Sequence, residues 1–368
     1  MQVLLADDAF HTMVSEILTH GTPDANRTDV SAIARIGHSY RVDCSGNKPV
    51  LQISKTVYTG TALKELEWFM SGDTRLDPLI ALGVHIWDQW VIPGTEKYDA
   101  EGKLVGGDLG PIYQHQWRNW TKEYSVRGDG ARRRWHDREC TATTVTSEIL
   151  KDTRGGYVTL VKETYDQLQI VTERLRSHPD CRRHIVSAWN PGDISDMALP
   201  PCHVMFQFCS RPVVPTLVEM ASLLTWSADA SAEDILDEEF ISRCVGEPRK
   251  LDLVLYMRSN DVGVGHAFNA FQYSTMLITM ARAVGMLPGE FIFMGANVHL
   301  YENQQEAYQE QRDNLMARKY HEILAMDPVR LVYTTSKVAN ALLDFKHTDV
   351  KLENYAAVST VRYPIAAK

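Results

Sequence analysis

Apolar positions three and four apart, Phe10, Met13, Val14 and Ile17, predict a short amphipathic helix over residues 10–20. A run beginning Lys48-Pro49-Val50-Leu51-Gln52-Ile53 predicts a strand over 48–58, which leads into a helix over 61–71 whose end is marked by Gly72-Asp73. Further along, His184-Ile185-Val186-Ser187-Ala188-Trp189 and the run from Val204 to Phe208 predict neighbouring strands, and Leu251-Asp252-Leu253-Val254-Leu255-Tyr256-Met257 predicts a third. Phe268 to Ala283 reads as a long buried helix in which Met276 and Met280 are core filler. There is no internal repeat and no low-complexity segment. Strands mixed with a long buried helix predict an α+β fold.

Two polar stretches interrupt this pattern. Residues 121–162 carry Arg127, Arg132, Arg133 and Arg134 and close near Gly155-Gly156; residues 211–249 open on Arg211-Pro212 and pass through Asp234, Asp237, Glu238 and Glu239. Both are expected to be insertions on the surface, the first a solvated loop. With 368 residues, 44% of them hydrophobic, the chain is long enough for one large core.

The net charge of -9 argues against broad binding of nucleic acid, which needs an extended basic face. A small anion needs only a few converging arginines, and Arg27, Arg182, Arg183 and Arg258 are the candidates, although each alone is more often an ordinary surface residue. No apolar run approaches the roughly 20 residues that span a bilayer, and Met1 to Asp8 lacks the basic-then-apolar order of a signal peptide. The six cysteines, Cys44, Cys140, Cys181, Cys202, Cys209 and Cys244, show neither a C-x-x-C pair nor zinc-like spacing, so reduced thiols, no metal and a cytoplasmic setting are expected.

One of these thiols stands apart. In Leu199-Pro200-Pro201-Cys202-His203 a rigid Pro-Pro step precedes the thiol and an apolar strand follows it, so Cys202 is held in place. Nearby arginines favour a thiolate, whereas a cysteine taken alone is more often a small buried hydrophobe. Adjacent strand residues face opposite ways, which makes His203 a supporting histidine rather than the base for Cys202.

From Asn26 to Pro364 the chain resembles the thymidylate synthase family, motif by motif and in order. The matching segments are Arg27-Thr28, Glu65-Leu66-Glu67-Trp68-Phe69, Ile86-Trp87-Asp88-Gln89-Trp90, Gly107-Asp108-Leu109-Gly110-Pro111-Ile112-Tyr113 and Gln116-Trp117-Arg118. Pro179-Asp180-Cys181-Arg182-Arg183, Ser187-Ala188-Trp189-Asn190, the Cys202 motif, Arg258-Ser259-Asn260-Asp261, Phe268-Asn269 and His299-Leu300-Tyr301 follow. The resemblance implies a single catalytic domain over 1–368, interrupted at about 121–162 and 211–249, with a mixed β-sheet and a long buried helix, paired sheet against sheet in a homodimer with two active sites. It implies one-carbon transfer from 5,10-methylenetetrahydrofolate to C5 of dUMP, without a metal.

The resemblance also implies roles. Cys202 would add to C6 of uracil, making C5 nucleophilic. Glu65 would organise the proton relay, Tyr113 would stand near the nucleophile and Asp261 would hold the pterin. The phosphate would sit among Arg27, Arg258 and Ser259, with Arg182 and Arg183 reaching across the subunit interface. His299 and Tyr301 would take the sugar 3'-hydroxyl. Asn269 would select uracil, since an amide can donate to O4 and accept from N3-H. Trp87, Trp90, Leu199, Gly265, Phe268 and the tail Pro364-Ile365-Ala366 would enclose the folate.

Several positions depart from the synthase pattern towards the phage-type nucleotide hydroxymethylases: Glu67, Met257, Asn297, and the absence of proline in Gly265-His266-Ala267-Phe268. Lys368 adds a charge to the usual hydrophobic end, which would loosen a closure that excludes water. These features imply a dUMP hydroxymethylase, in the host cytoplasm if it is phage-encoded. Trp90 and the Pro-Ile-Ala tail carry the alternative, reductive methylation to dTMP and dihydrofolate. A catalytically dead nucleotide-binding homologue is a third reading, opposed by Cys202, Glu65 and Arg258.

Overall fold

The computed structural model describes residues 3–26, 28–127, 142–151, 157–216, 218–220, 223, 247–335 and 342–366. Six helices frame the site: α1 (Ala6–His20), α2 (Thr59–Ser71), α3 (Asp77–Ala81), α4 (Tyr113–Asn119), α5 (Gln167–Ser177) and α6 (Gly265–Ala283). The principal strands are β1 (Val3–Leu4), β2 (Thr22–Asp24), β3 (Ala32–Asp43), β4 (Lys97–Tyr98), β5 (Leu104–Gly106), β6 (Trp120–Arg127), β7 (Thr144–Lys151), β8 (Tyr157–Tyr165), β9 (Ile185–Ser187), β10 (His203–Pro212), β11 (Arg249–Asp261) and β12 (Leu287–Tyr301).

The main sheet has the order β1-β3-β12-β11-β10-β9, with β2 paired to β3. β11 and β12 are parallel and joined by α6, whereas β9, β10 and β11 are antiparallel, so the sheet is mixed. One face carries Phe206, Phe208, Leu253, Leu255, Phe291 and Phe293 into the core, where α6 covers them. That helix is buried almost all round, which suits its weak amphipathicity. The strands expected within 184–189, 204–208 and 251–257 and the buried helix are borne out, and the fold is α+β.

The opposite face is different. Met205, Tyr256 and Met294 stand in register across three strands, as do Gln207, Val254 and Ile292 beside them. Tyr256 is 37% exposed and Met294 45%. A solvated sheet face is normally polar, so this apolar face is unusual for an isolated chain.

Three expectations need correction. Residues 48–58 form no strand: Val50, Leu51 and Ile53 are buried, but their backbone is satisfied by side chains, with Val50 N–H donating to Ser274 Oγ and Ile53 and Ser54 N–H to the Asp7 carboxylate. The described part of 121–162 is no loop; β6, β8 and β7 form a separate antiparallel sheet, for which Thr, Val and Tyr at close intervals supply the β-propensity. Arg132, Arg133, Arg134 and Gly155-Gly156 lie outside the described residues, as do Asp234, Asp237, Glu238 and Glu239. Arg211 and Pro212 prolong β10 rather than opening a loop.

The first helix begins at Ala6, four residues before its apolar stripe, with Asp7 and Asp8 in the first turn where acidic side chains favour the helix dipole. The second helix starts two residues early, at Thr59, and stops where Gly72 takes a left-handed conformation (φ 76°).

Candidate active site

Cys202 lies directly before β10, where the strand opens with an irregularity between His203 and Met205. Its N–H donates to the Tyr113 hydroxyl (2.8 Å), and its carbonyl accepts from Arg258 N–H (2.9 Å). The Arg258 guanidinium spans the same turn: Nε donates to Pro201 O (2.9 Å), and Nη2 donates to Pro200 O (2.8 Å) and lies 3.8 Å from Cys202 Sγ. A fixed cation at that distance favours the thiolate. Nη1 of Arg258 has no hydrogen-bond partner among the described residues, and the guanidinium lies 5.7 Å from the centre of the Trp189 ring.

His203 turns inward, its ring 4.6 Å from that of Tyr113, and Nε2 accepts from Asn269 Nδ2 (2.9 Å). Burial pushes His203 down to about 3, so it is a neutral acceptor, in accord with its expected supporting role. With one amide hydrogen committed to His203, Asn269 keeps the other hydrogen and Oδ1 for a ligand.

Glu65 is buried on α2. Oε1 accepts from the Trp87 indole (2.6 Å) and Oε2 from Gln272 Nε2 (2.7 Å). Burial raises its carboxyl above the usual range, and the two donors oppose that rise. Glu67 faces elsewhere: it accepts from His347 N–H (2.9 Å) and Nδ1 (2.6 Å) and from Lys346 (3.2 Å), tying α2 to residues 346–347.

Asp261 ends β11. It accepts from the N–H groups of Gly263 (3.0 Å) and Val264 (3.2 Å) and from Gln304 Nε2 (3.1 Å), while burial raises its carboxyl. Asp261 lines a cleft of about 320 Å³ with Thr28, Gln89, Trp90, Tyr301, Ile365 and Ala366. Nearby, His299 Nδ1 pairs with Asn297 Oδ1 (2.8 Å), and burial keeps His299 neutral to lower pH than usual. With that oxygen as acceptor the proton is on Nδ1, leaving Nε2 as the acceptor.

A second cleft, about 310 Å³, is lined by Lys55, Val264, Phe268 and Tyr363 among others. Here Lys55 donates to Gly263 O (2.9 Å) and lies 4.2 Å from the centre of the Tyr363 ring, and its burial brings the amine down to about 8. The tail is fastened again by Tyr363 Oη donating to Gln311 Oε1 (2.7 Å) and by Gln304 Nε2 donating to Pro364 O (3.1 Å). Gln304 thereby joins the tail to Asp261.

The structure thus gathers Cys202, Tyr113 and Arg258 in one cluster and Trp90, Asp261, Tyr301 and Ala366 around one cleft. Ser259 sits in β11 opposite Asn297, Leu199 packs on the core just ahead of the Pro-Pro step, and Gly265 opens α6 one turn before Asn269. Arg182 and Arg183 are exposed on the turn before β9, and line neither cleft. Arg27 and Lys368 lie outside the described residues. Gln272 and Gln304 were not anticipated; Gln272 is three residues beyond Asn269, one turn along the same helix face, which was the available signal.

Of the departures from the synthase pattern, Met257 is buried in the sheet, and His266 is buried between Tyr40 Oη (2.9 Å) and Asn260 Oδ1 (3.0 Å). Asn297 is hydrogen-bonded to a candidate site residue, His299. Cys44, Cys181, Cys202 and Cys209 are free thiols, while Cys140 and Cys244 lie outside the described residues. Among the described residues no cluster of His, Cys, Asp or Glu is arranged to hold a metal, and no helix is long and apolar enough to cross a membrane.

A rigidly held thiol under a guanidinium, a buried carboxylate and an aromatic-lined cleft are the groups that covalent chemistry here would draw on. Comparison with known proteins gives the class its name. The thymidylate synthase family profile matches residues 8–367. A thymidylate synthase of Sphingopyxis alaskensis is 28% identical over 374 residues, covering 96% of each chain. The chain belongs to the thymidylate synthase family. It is a transferase acting at C5 of dUMP, in a family that uses methylenetetrahydrofolate as the one-carbon donor.

Proposed function

We propose that Cys202 Sγ adds to C6 of dUMP, that C5 takes up the one-carbon unit, and that the outcome is reductive methylation to dTMP. The observation that carries the first part is Arg258: with three hydrogen bonds fixing the 200–202 turn, its guanidinium is already aimed at Sγ before substrate arrives. Such preorganisation avoids reorienting a charge during the reaction. Addition to C6 pushes electron density towards O4, where the remaining Asn269 N–H can donate while Oδ1 accepts from N3-H. Glu65 holds or moves a proton through water between the ring and the protein.

The phosphate is assigned to Arg258 Nη1, Ser259 and Arg27, with Arg182 and Arg183 entering from a second copy of the chain. His299 and Tyr301 take the 3'-hydroxyl. The open apolar face of the main sheet supports pairing of two copies through it. A folate fits the clefts: Trp90, Ile365 and Ala366 offer apolar surface, Asp261 can accept from its N–H edge, and Trp87, Leu199, Gly265 and Phe268 complete the assigned wall. Bound methylenetetrahydrofolate supplies the one-carbon unit and, in the reductive outcome, the hydride. The free thiols fit a reducing cytoplasm.

Two features support reduction over hydration. The tail is tied down through Lys55, Gln311 and Gln304, which favours exclusion of water from a reactive intermediate. Glu67, Met257 and His266, which resemble the hydroxymethylase pattern, are occupied in structural contacts. Among the described residues, Asn297 favours hydroxymethylation, because a neutral amide beside His299 alters the charge around the site. Identifying the nucleotide product by mass distinguishes the two.

Base choice follows from the amide of Asn269. Asn269→Asp is expected to shift preference from dUMP towards dCMP, by about the 1–3 kcal/mol of one or two exchanged hydrogen bonds. Ratios of kcat/KM for the two nucleotides measure it. A wild-type enzyme that already prefers dCMP contradicts the assignment.

A further inference from the structure

Gln272 belongs to no assigned part of the site, yet its amide is fixed by two acceptors. Nε2 donates both to Ala62 O (2.9 Å) and to Glu65 Oε2 (2.7 Å). The carbonyl of Ala62 settles the orientation, since a flipped amide would oppose two oxygens. With the Trp87 indole on Oε1, both Glu65 oxygens face donors in a buried setting. Protonation would turn one of these two charge-assisted hydrogen bonds into a weaker neutral one. Burial favours the neutral form and the two donors favour the anion, so the balance depends on each donor.

We propose that Gln272 is the positioning residue that keeps Glu65 an ionised double acceptor, and so sets the lower pH bound for proton removal at C5. This rests on the proposed role of Glu65 in proton transfer. Among the described residues, the other ionisable groups around Glu65 are engaged elsewhere. On α2, Lys64 donates to Leu82 O (2.7 Å) and Glu67 is held by Lys346 and His347. Asp77 on α3 pairs with Lys97. The Tyr113 hydroxyl on α4 accepts from Cys202 N–H, and burial keeps Tyr113, Tyr273 on α6 and His203 on β10 neutral.

The test compares Gln272→Met, which keeps the length but removes the donor, with Gln272→Glu, which places a second carboxyl against Glu65. Two readouts are taken. The first is the titration of Glu65 by 13C NMR in full-length protein labelled at glutamate Cδ, with the resonance assigned by its loss in Glu65→Gln. The second is the pH profile of tritium release from [5-3H]dUMP with methylenetetrahydrofolate. Both variants are expected to move the Glu65 midpoint and the acid limb of kcat/KM upward together, by about one to two pH units for loss of one hydrogen bond to a charged group. A midpoint that stays in place in either folded variant overturns the proposal. The NMR titration needs no substrate: a midpoint that moves in a protein releasing no tritium upholds the positioning of Glu65 and removes the dUMP reading instead.

Discussion

Replacing Cys202 by serine is expected to lower turnover by on the order of 10⁴-fold or more while dUMP still binds, the scale of loss seen when a covalent nucleophile is removed. The reason is ionisation. The Arg258 guanidinium near Sγ can stabilise a thiolate at neutral pH, but an aliphatic hydroxyl remains protonated under the same charge. Binding should survive because the groups assigned to the phosphate, sugar and base are other side chains. The remaining thiols serve as controls: Cys44 is buried in the core, and Cys181 and Cys209 make no described contact with Cys202. Initial rates and equilibrium binding of dUMP measure the two effects separately. Near-normal turnover in Cys202→Ser would remove this thiol from the mechanism.

The second large effect is recovery of activity from two inactive proteins. The turn that carries Arg182 and Arg183 is fastened to the open face of the sheet, with Gln207 Nε2 donating to Arg182 O (2.9 Å) from the row it shares with Val254 and Ile292. If a second copy covers that face, the arginines stand at the rim of the interface, poised to reach the partner's phosphate site. Arg182→Ala with Arg183→Ala in one chain, and Cys202→Ser in the other, should each be inactive alone. Random exchange of equal amounts makes half the dimers hybrid, each with one intact site, so up to about a quarter of wild-type activity should return. No recovery, with exchange demonstrated by mass, would place the arginines in their own chain's site or outside any site.

How far the sequence disclosed the fold depended on where each backbone found its partners. β9, β10, β11 and α6 were legible because apolar runs of the right length pair with each other or fill the core. The stretch 48–58 looked equally strand-like, but its N–H groups are satisfied by Asp7 and Ser274, distant in sequence, and no local pattern announces that. In 121–162 the arginines masked the β-branched alternation of β7 and β8. At the site, Cys202, Arg258, Asn269 and Asp261 stood in motifs that could be read directly. Gln272 and Gln304 act through neighbours supplied by the fold, and a lone glutamine in a buried helix carries little signal by itself. Glu67 differs from the synthase pattern in sequence but is held by Lys346 and His347, and Met257 is buried in the sheet in register with His203.

The fate of the one-carbon unit tests the central claim most directly. The enzyme is incubated with dUMP and methylenetetrahydrofolate while dihydrofolate absorbance is followed and the nucleotide is weighed by mass spectrometry. A tail held by Tyr363 and Pro364 should keep water from the intermediate, so dTMP and dihydrofolate are expected in equal amounts. Formation of 5-hydroxymethyl-dUMP without dihydrofolate would contradict reduction and assign the enzyme to hydroxymethylation; no change at C5 of dUMP would contradict the account as a whole.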